Sequence, residues 1–248
     1  MKKFTPVVKE KLKDKFWKKP ENMLFAKDTG IIPVAIGEVA RLSLFLPLAF
    51  YKDDNQNYRL IALLNLLPQT GNIFVNQKGA WIGRYVPWFF SGYPFTLRFT
   101  EKGDPVLLID DEFIIADPSA GIPFFKEDGE FHDELKKIIN FLLEREKSYQ
   151  LTSQICNKIA EMDILEPWNL NIRLEGEGRT IKGLYRINLE KYTKLEDEKI
   201  LELRRAGAFI LIYAHLFSLS NINLLAALSR IFLSKEQNKQ EMPEIIRL

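Results

Sequence analysis

A chain of 248 residues, 46% of them hydrophobic and 27% charged, has the composition of a globular protein that can bury a substantial core. Its formal net charge of +2 gives no global reason to expect nucleic acid or an anionic membrane as a partner. The single cysteine, Cys156, excludes an intramolecular disulfide, and with only two histidines the chain lacks the residues of a typical structural zinc site.

The N-terminal segment and a later acidic segment carry opposite charges. Residues 1–19 hold eight lysines against two acidic residues, and residues 101–134 hold eleven acidic residues against two lysines. We interpret them as a mobile basic arm and a solvated acidic face; the alternative is that the arm folds over that face or docks on an acidic partner. The arm contains no arginine, which argues against specific recognition of bases or phosphates, so no nucleic-acid partner is predicted.

Short strands separated by turn formers are predicted from about residue 31 to residue 117. The apolar runs at 47–51, 58–66 and 72–76 are separated by residues typical of turns. A further hairpin is predicted around Lys102-Gly103-Asp104. The short segment 36–44 is ambiguous, and a helix is one interpretation of it.

The middle of the chain has helical periodicity. Apolar residues recur three and four positions apart, first at Leu135, Ile138, Ile139, Leu142 and Leu143 and again from Leu151 to Met162. The pattern is predicted to end at Glu166-Pro167.

Apolar and polar residues then alternate from Trp168 to Ile187 on both sides of Gly176-Glu177-Gly178, which predicts a β-hairpin. This Gly-x-Gly joins two strands, whereas a nucleotide-cradling loop opens a helix, so no phosphate site is predicted there.

The C-terminal part is predicted to be helical from about Glu196. Its most apolar stretch, residues 206–233, is interrupted by polar residues too soon for the run of about 20 apolar residues that a spanning helix needs. It predicts two buried helical pieces and no transmembrane segment. Because no apolar segment follows the basic N-terminus, no cleaved secretory signal is predicted. We expect a cytoplasmic protein, with cell-surface association through signal-less export as the alternative.

These elements predict an α+β fold with an N-terminal, mainly antiparallel β half packed with C-terminal helices and a β-hairpin. The predicted organisation is a basic arm at residues 1–20, a single α+β domain at residues 21–233 and a polar tail at residues 234–248.

The polar residues form no strong catalytic or metal-binding pattern. Asp110 and Asp111 are weak candidates for Mg²⁺ or Ca²⁺, because adjacent carboxylates can bind these ions but usually collect further ligands from elsewhere. His132 and His215 could be combined with a carboxylate as an iron site, but the spacing at a helix start is unfavourable. His215 is interpreted as a core residue. No cofactor and no catalytic residue are predicted.

The segment Gly83–Phe95, GRYVPWFFSGYPF, has six aromatic residues among thirteen, and Trp81 stands just upstream. Its prolines and glycines predict a shaped turn between two strands. The rings either pack this turn against the sheet or form a partly exposed groove for an apolar or peptide partner. The candidate binding residues are Trp81, Tyr85, Trp88 and Tyr93.

The same segment opens a series that resembles the SapC family, bacterial proteins associated by name with surface layers (S-layers). The resemblance runs from about Leu24 to Asn221, and the basic arm and the tail from Ser234 depart from it. It is carried, in order, by GRYVPWFFSGYPF, LLIDDE, PFFKEDGE, ILEPWNLNIRL, GLYRINLEKYTKLEDEKILELRRAG and YAHLFSLSNI.

The resemblance implies a role in S-layer biogenesis and supplies no catalytic residues. We expect a non-enzymatic binding or assembly-accessory protein whose partner is a peptide or protein, for example a surface-layer or envelope component. The alternative is an enzyme acting on peptide or cell-envelope material. It predicts that Asp110, Asp111 and His215 converge on one pocket.

Overall fold

A computed structural model describes residues 2–67, 70–174 and 177–240. About 36% of the chain is helical and 25% is strand, with antiparallel sheets in the N-terminal half and helices in the C-terminal part, so the predicted α+β class is confirmed. The chain divides into two compact units. The first consists of Met1–Asn22 and Phe90–Lys147, and the second of Met23–Phe89 and Ser148–Leu248.

In chain order, the strands are β1 (Phe4–Pro6), β2 (Phe16–Trp17), β3 (Ile31–Pro33), β4 (Leu48–Lys52), β5 (Tyr58–Leu63), β6 (Phe95–Phe99), β7 (Pro105–Asp110), β8 (Ile114–Ile115), β9 (Ile122–Pro123), β10 (Leu165–Leu174) and β11 (Glu177–Ile187). The helices are α1 (Lys9–Leu12), α2 (Val39–Leu42), α3 (Asp133–Glu161), α4 (Leu189–Thr193), α5 (Asp197–Arg205), α6 (Phe209–Ser218) and α7 (Asn221–Gln240).

The first unit contains two small antiparallel sheets, with strand orders β1-β7-β6 and β8-β2-β9. The hairpin predicted around Gly103 is present, since Phe99 of β6 pairs with Pro105 of β7. The core of the first unit consists of apolar side chains from the strands, the loops and the first half of α3, among them Trp17, Ile109, Phe124, Leu135 and Leu142.

The basic N-terminal segment is part of this unit. β1 pairs with β7, and the apolar residues Val7, Leu12 and Trp17, placed between the lysines, are buried. Three lysines of the segment form ion pairs with the acidic segment: Lys2 with Asp110, Lys3 with Asp111 and Lys19 with Glu134. The structure therefore corresponds to the alternative interpretation, an arm folded over the acidic residues. The boundaries predicted at residues 20 and 233 stay a prediction.

The second unit is built on a five-stranded antiparallel sheet of order β10-β11-β4-β5-β3. The predicted hairpin from Trp168 to Ile187 is confirmed as β10 and β11, which pair along their length with a register shift between Trp168 and Leu170. Part of its Gly-x-Gly turn, residues 175–176, lies outside the described residues. Helix α6 packs on β4 and β11, and α7 contacts β10, so these two C-terminal helices lie on this sheet.

Two local predictions differ from the structure. Residues 72–76 form a turn with one isolated bridge, Val75 to Trp81, and no strand. The Asn72 side chain accepts a hydrogen bond from the Phe74 amide at 3.0 Å, a local contact that competes with strand pairing. The long helix α3 ends at Glu161, before Pro167, which lies inside β10.

The apolar stretch at residues 206–233 forms two helices, as predicted, but they differ in burial. One side of α6 is buried, whereas the described side chains of α7 are buried only at Leu225 and Ser229. Among the described residues, no single helix is both long and apolar enough to cross a membrane. Helix α6 and the Asn221–Ser234 part of α7, which meet at a 46° bend, reach that length and hydropathy only as a pair. The predicted tail from residue 241 onwards lies outside the described residues.

Candidate functional site

A buried carboxylate fixes the first half of the aromatic segment. Glu38, at the N-terminus of α2, is 2% exposed. Its Oε2 accepts hydrogen bonds from the Trp88 amide at 2.8 Å and from the Tyr85 hydroxyl at 3.0 Å. Burial, reinforced by the Glu38 carboxylate, raises the pKa of Tyr85 well above its usual value, so Tyr85 is a neutral donor.

The Trp88 ring packs over Gly37. A Cβ atom added to Gly37 would lie 2.6 Å from Cη2 of Trp88, so the ring occupies space that only glycine leaves free. The Gly37 amide in turn donates to Oγ of Ser148 at 3.1 Å. Trp88 is half-buried, and its contact with Gly37 gives it a packing role in the second unit.

An apolar concavity beside the segment, here called the Trp81 cleft, lies within the second unit and has a volume of about 350 Å³. Its mouth carries unusually exposed aliphatic side chains: Leu44 is 67% exposed, Ile82 57% and Leu224 53%. The Trp81 ring stacks on Phe74, with centroids 5.5 Å apart and planes inclined by 24°. The full lining comprises Leu42, Leu44, Phe45, Leu46, Phe74, Trp81, Ile82, Gly83, Arg84, Tyr85, Leu224 and Leu228.

The electrostatic character of the Trp81 cleft is set by arginines. Arg84 is the charged residue of the lining, is exposed, and forms no ion pair with the described part of the chain. The guanidinium of Arg41 lies 5.4 Å from the centroid of the Tyr85 ring, close enough for a cation–π contact. The cleft therefore combines an apolar interior with a positive rim, which suits an apolar group next to a carboxylate.

Tyr93 belongs to a different concavity, the Tyr93 cleft, which lies within the first unit and has a volume of about 470 Å³. The Tyr93 hydroxyl donates to Oδ2 of Asp110 at 2.5 Å and accepts from Nζ of Lys2 at 3.2 Å. Burial, together with Asp110, raises the pKa of Tyr93 well above its usual value. The lining comprises Trp17, Lys19, Pro20, Ser91, Gly92, Tyr93, Glu134, Lys137, Ile138 and Phe141.

The four candidate binding residues are thus distributed over three environments. Trp81 and Tyr85 line one cleft, Tyr93 lines another in the other unit, and Trp88 lines neither. The sequence pattern pointed to two of the four aromatic residues that line the Trp81 cleft, Trp81 and Tyr85, but missed its aliphatic residues. Leu44 and Leu224 are far apart in the sequence, and only their membership of two strongly apolar stretches pointed to them.

Asp110 and Asp111, the weak metal candidates, have protein partners. Asp110 is fully buried, and its Oδ1 accepts from the Glu112 amide at 3.3 Å, capping the short 3₁₀ turn Asp111–Phe113. Asp111 lies 3.7 Å from Nζ of Lys3. Within residues 2–67, 70–174 and 177–240, no group of three or more His, Cys, Asp or Glu side chains is placed to hold a metal ion.

His215 lies in the core of the second unit, and the backbone uses both of its ring nitrogens. Nε2 accepts from the Ile187 amide at 3.2 Å, so Nδ1 carries the proton and donates to the Leu48 carbonyl at 3.0 Å. Burial lowers the pKa of His215 to about 4. The imidazole therefore links β11, β4 and α6 in its neutral form.

These observations define an α+β protein with an apolar cleft beside an aromatic turn. A protein-family model described as SapC matches residues 8–225. The chain belongs to the SapC family, as its resemblance in sequence implied. The match begins at residue 8, before Leu24, so most of the basic N-terminal segment lies within the region that matches the family. The expectation that this segment departs from the family was therefore wrong. No curated protein and no solved structure matches the chain.

Proposed function

We propose that this SapC-family protein is a non-enzymatic binding or assembly-accessory protein that acts in surface-layer biogenesis. It binds a peptide or protein segment in the Trp81 cleft. The observation that carries the proposal is the exposure of Leu44, Ile82 and Leu224 around a cleft of about 350 Å³. Aliphatic side chains of this size are costly to leave in water, and their convergence around one concavity is typical of a docking site.

The residues that line the Trp81 cleft indicate which residue types its partner segment carries. Trp81 and Phe74 offer a stacked aromatic floor for one or two apolar side chains. Arg84, exposed at the rim, offers a guanidinium for a carboxylate beside them. The partner segment therefore carries aliphatic or aromatic residues next to Asp, Glu or a C-terminal carboxylate.

To test the cleft, a random-peptide phage library is panned on the full chain. The enriched peptides are then synthesised with a fluorescent label, and their affinity for the protein is measured by fluorescence anisotropy. We expect the peptides to combine apolar and acidic residues. Their affinity should fall about tenfold or more with Ile82→Asp or Leu44→Asp, and about tenfold with Arg84→Gln. Phe99→Asp, an exposed position in the first unit, is the matched control and should bind as the wild type does. Unchanged affinity in Ile82→Asp and Leu44→Asp would place the peptide site elsewhere.

The proposed role in surface-layer biogenesis rests on the family's name, which associates the family with bacterial surface layers. The protein would meet its partner either in the cytoplasm, before assembly, or at the cell surface after export. Protease treatment of intact native cells, followed by immunoblotting, separates these locations. Loss of the protein in intact cells supports the surface, and protection until lysis supports the cytoplasm.

A further inference from the structure

Helix α6 presents an apolar face to solvent. Ile210 is 44% exposed, Tyr213 43% and Phe217 72%. They are spaced three and four positions apart and so lie on one side of the helix, here called the α6 face. The opposite side packs into the core through Leu211, Ile212, Ala214, His215 and Ser218. A surface helix of a globular protein normally carries polar residues where α6 carries these three.

The α6 face is an organised aromatic surface. The rings of Tyr213 and Phe217 are stacked, with centroids 6.3 Å apart and planes inclined by 24°. Phe209 contacts Tyr213 edge-on at 6.2 Å, and the Tyr213 hydroxyl lies 3.2 Å from the Tyr192 hydroxyl. Tyr213 therefore exposes its ring while its hydroxyl is paired within the protein, so the ring can enter an apolar phase without carrying an unpaired polar group with it.

Helices α6 and α7 carry no acidic residue as far as Lys235, whereas α4 and α5, which precede them, carry acidic residues such as Glu190 and Glu202. Arg204 and Arg205 lie just before α6, and Arg230 lies on α7; all three are exposed. Helix α7 also has an exposed apolar residue, Ile231, which is 52% exposed.

We propose that the α6 face docks on an anionic lipid bilayer, with Ile210, Tyr213 and Phe217 in the interfacial region and the neighbouring arginines against lipid phosphates. Helix α6 has ten residues and is therefore about 15 Å long, which allows it to lie along the surface without spanning the bilayer. The charges favour this occupant over a second copy. Two-fold pairing of the face would bring two copies of the segment from Ala206 to Lys235 together, and the charged residues of that segment, Arg230 and Lys235, are both positive. The inference goes beyond the proposed function and uses no residue of the Trp81 cleft.

The test is co-sedimentation of the full chain with large unilamellar vesicles of pure phosphatidylcholine and with vesicles containing about 30% phosphatidylglycerol. We expect the wild type to sediment with the anionic vesicles, less so in high salt, and to remain in solution with the neutral ones. Phe217→Asp and Ile210→Asp should each lower the partition coefficient about tenfold or more. Phe99→Asp introduces the same charge on the first unit and should partition like the wild type. Circular dichroism melting of all three variants checks that they are folded.

A second measurement reports the position of the helix directly. Ser220 is exposed between α6 and α7, so Ser220→Cys can carry an environment-sensitive dye, while the buried native Cys156 stays unlabelled. Anionic vesicles should shift the dye emission to the blue. The proposal is overturned if the wild type stays in solution with both vesicle types or if Phe217→Asp partitions like Phe99→Asp. It is also overturned if Phe217→Asp only converts a dimer into a monomer without any vesicle binding, since a second copy would then cover the face.

Discussion

The Tyr85 hydroxyl and the Glu38 carboxylate lie 3.0 Å apart, and the same Glu38 oxygen holds the Trp88 amide at 2.8 Å. One buried carboxylate thus fixes both the ring that lines the Trp81 cleft and the backbone of the turn that follows it. A charged acceptor buried to this extent is stable only while its donors stay in place. The shape of the cleft therefore depends on a residue that does not line it.

Replacement of Glu38 tests this dependence. Glu38→Ala leaves the Tyr85 hydroxyl and the Trp88 amide without their acceptor, and we expect the free energy of unfolding to fall by about 2–4 kcal/mol. Glu38→Gln keeps an acceptor oxygen and should cost less. Urea unfolding of the two variants and the wild type measures both values. Equal midpoints for Glu38→Ala and the wild type would show that the carboxylate does not hold the turn.

In the first unit, Tyr93 has the corresponding role toward Asp110. Tyr93→Phe removes the hydroxyl that donates to this fully buried carboxylate at 2.5 Å, so the free energy of unfolding should fall by about 1–3 kcal/mol. The control is Tyr185→Phe, because the Tyr185 hydroxyl has no hydrogen bond within the described residues, and its loss should cost less than about 0.5 kcal/mol. The prediction fails if the two tyrosine variants unfold at the same urea concentration.

His215 predicts a specific dependence of stability on pH. Burial lowers its pKa from an ordinary value of 6.5 to about 4. Between these values the unfolded chain binds a proton that the folded chain excludes. The stability is therefore complete above about pH 6.5 and falls as the pH decreases toward 4. The difference in pKa corresponds to a loss of about 3 kcal/mol.

The measurement is urea unfolding across this pH range for the wild type and His215→Gln. Glutamine keeps one donor and one acceptor but does not titrate, so the variant should lack this component of the pH dependence. Carboxylates titrate in both proteins and cancel in the comparison. Parallel stability curves for the two proteins would show that His215 is not the group responsible.

Local patterns in the sequence were sufficient to predict the long regular helices and strands. The alternation from Trp168 to Ile187 predicted the β10–β11 hairpin because strand periodicity is contained within the strands themselves. The same holds for α3, whose apolar spacing is local. At residues 72–76 the apolar pattern failed, because the Asn72 side chain binds the Phe74 amide and stabilises a turn instead.

The candidate site depends on contacts that no local pattern contains. Aromatic density drew attention to Trp81 and Tyr85, which line the Trp81 cleft, but it could not separate them from Trp88, whose position depends on the absence of a side chain at Gly37. Glu38 is a single acidic residue in an ambiguous segment, and its burial is visible only in three dimensions. Likewise, an excess of lysines obscured the buried Trp17 within the N-terminal segment.

The turns on either side of β6 give a matched pair of glycine substitutions, Gly92 before the strand and Gly103 after it. Gly92 and Gly103 have φ angles of +90° and +86°, so alanine at either position is strained by about 1–3 kcal/mol. A Cβ atom on Gly103 would meet open space, whereas one on Gly92 would lie 2.8 Å from Cδ2 of Leu142, which is fully buried. Gly92→Ala should therefore lower the free energy of unfolding by about 1–3 kcal/mol more than Gly103→Ala does. Chemical denaturation of both variants measures the difference, and equal losses would mean that Leu142 can move aside and that packing against α3 does not restrict the turn at Gly92.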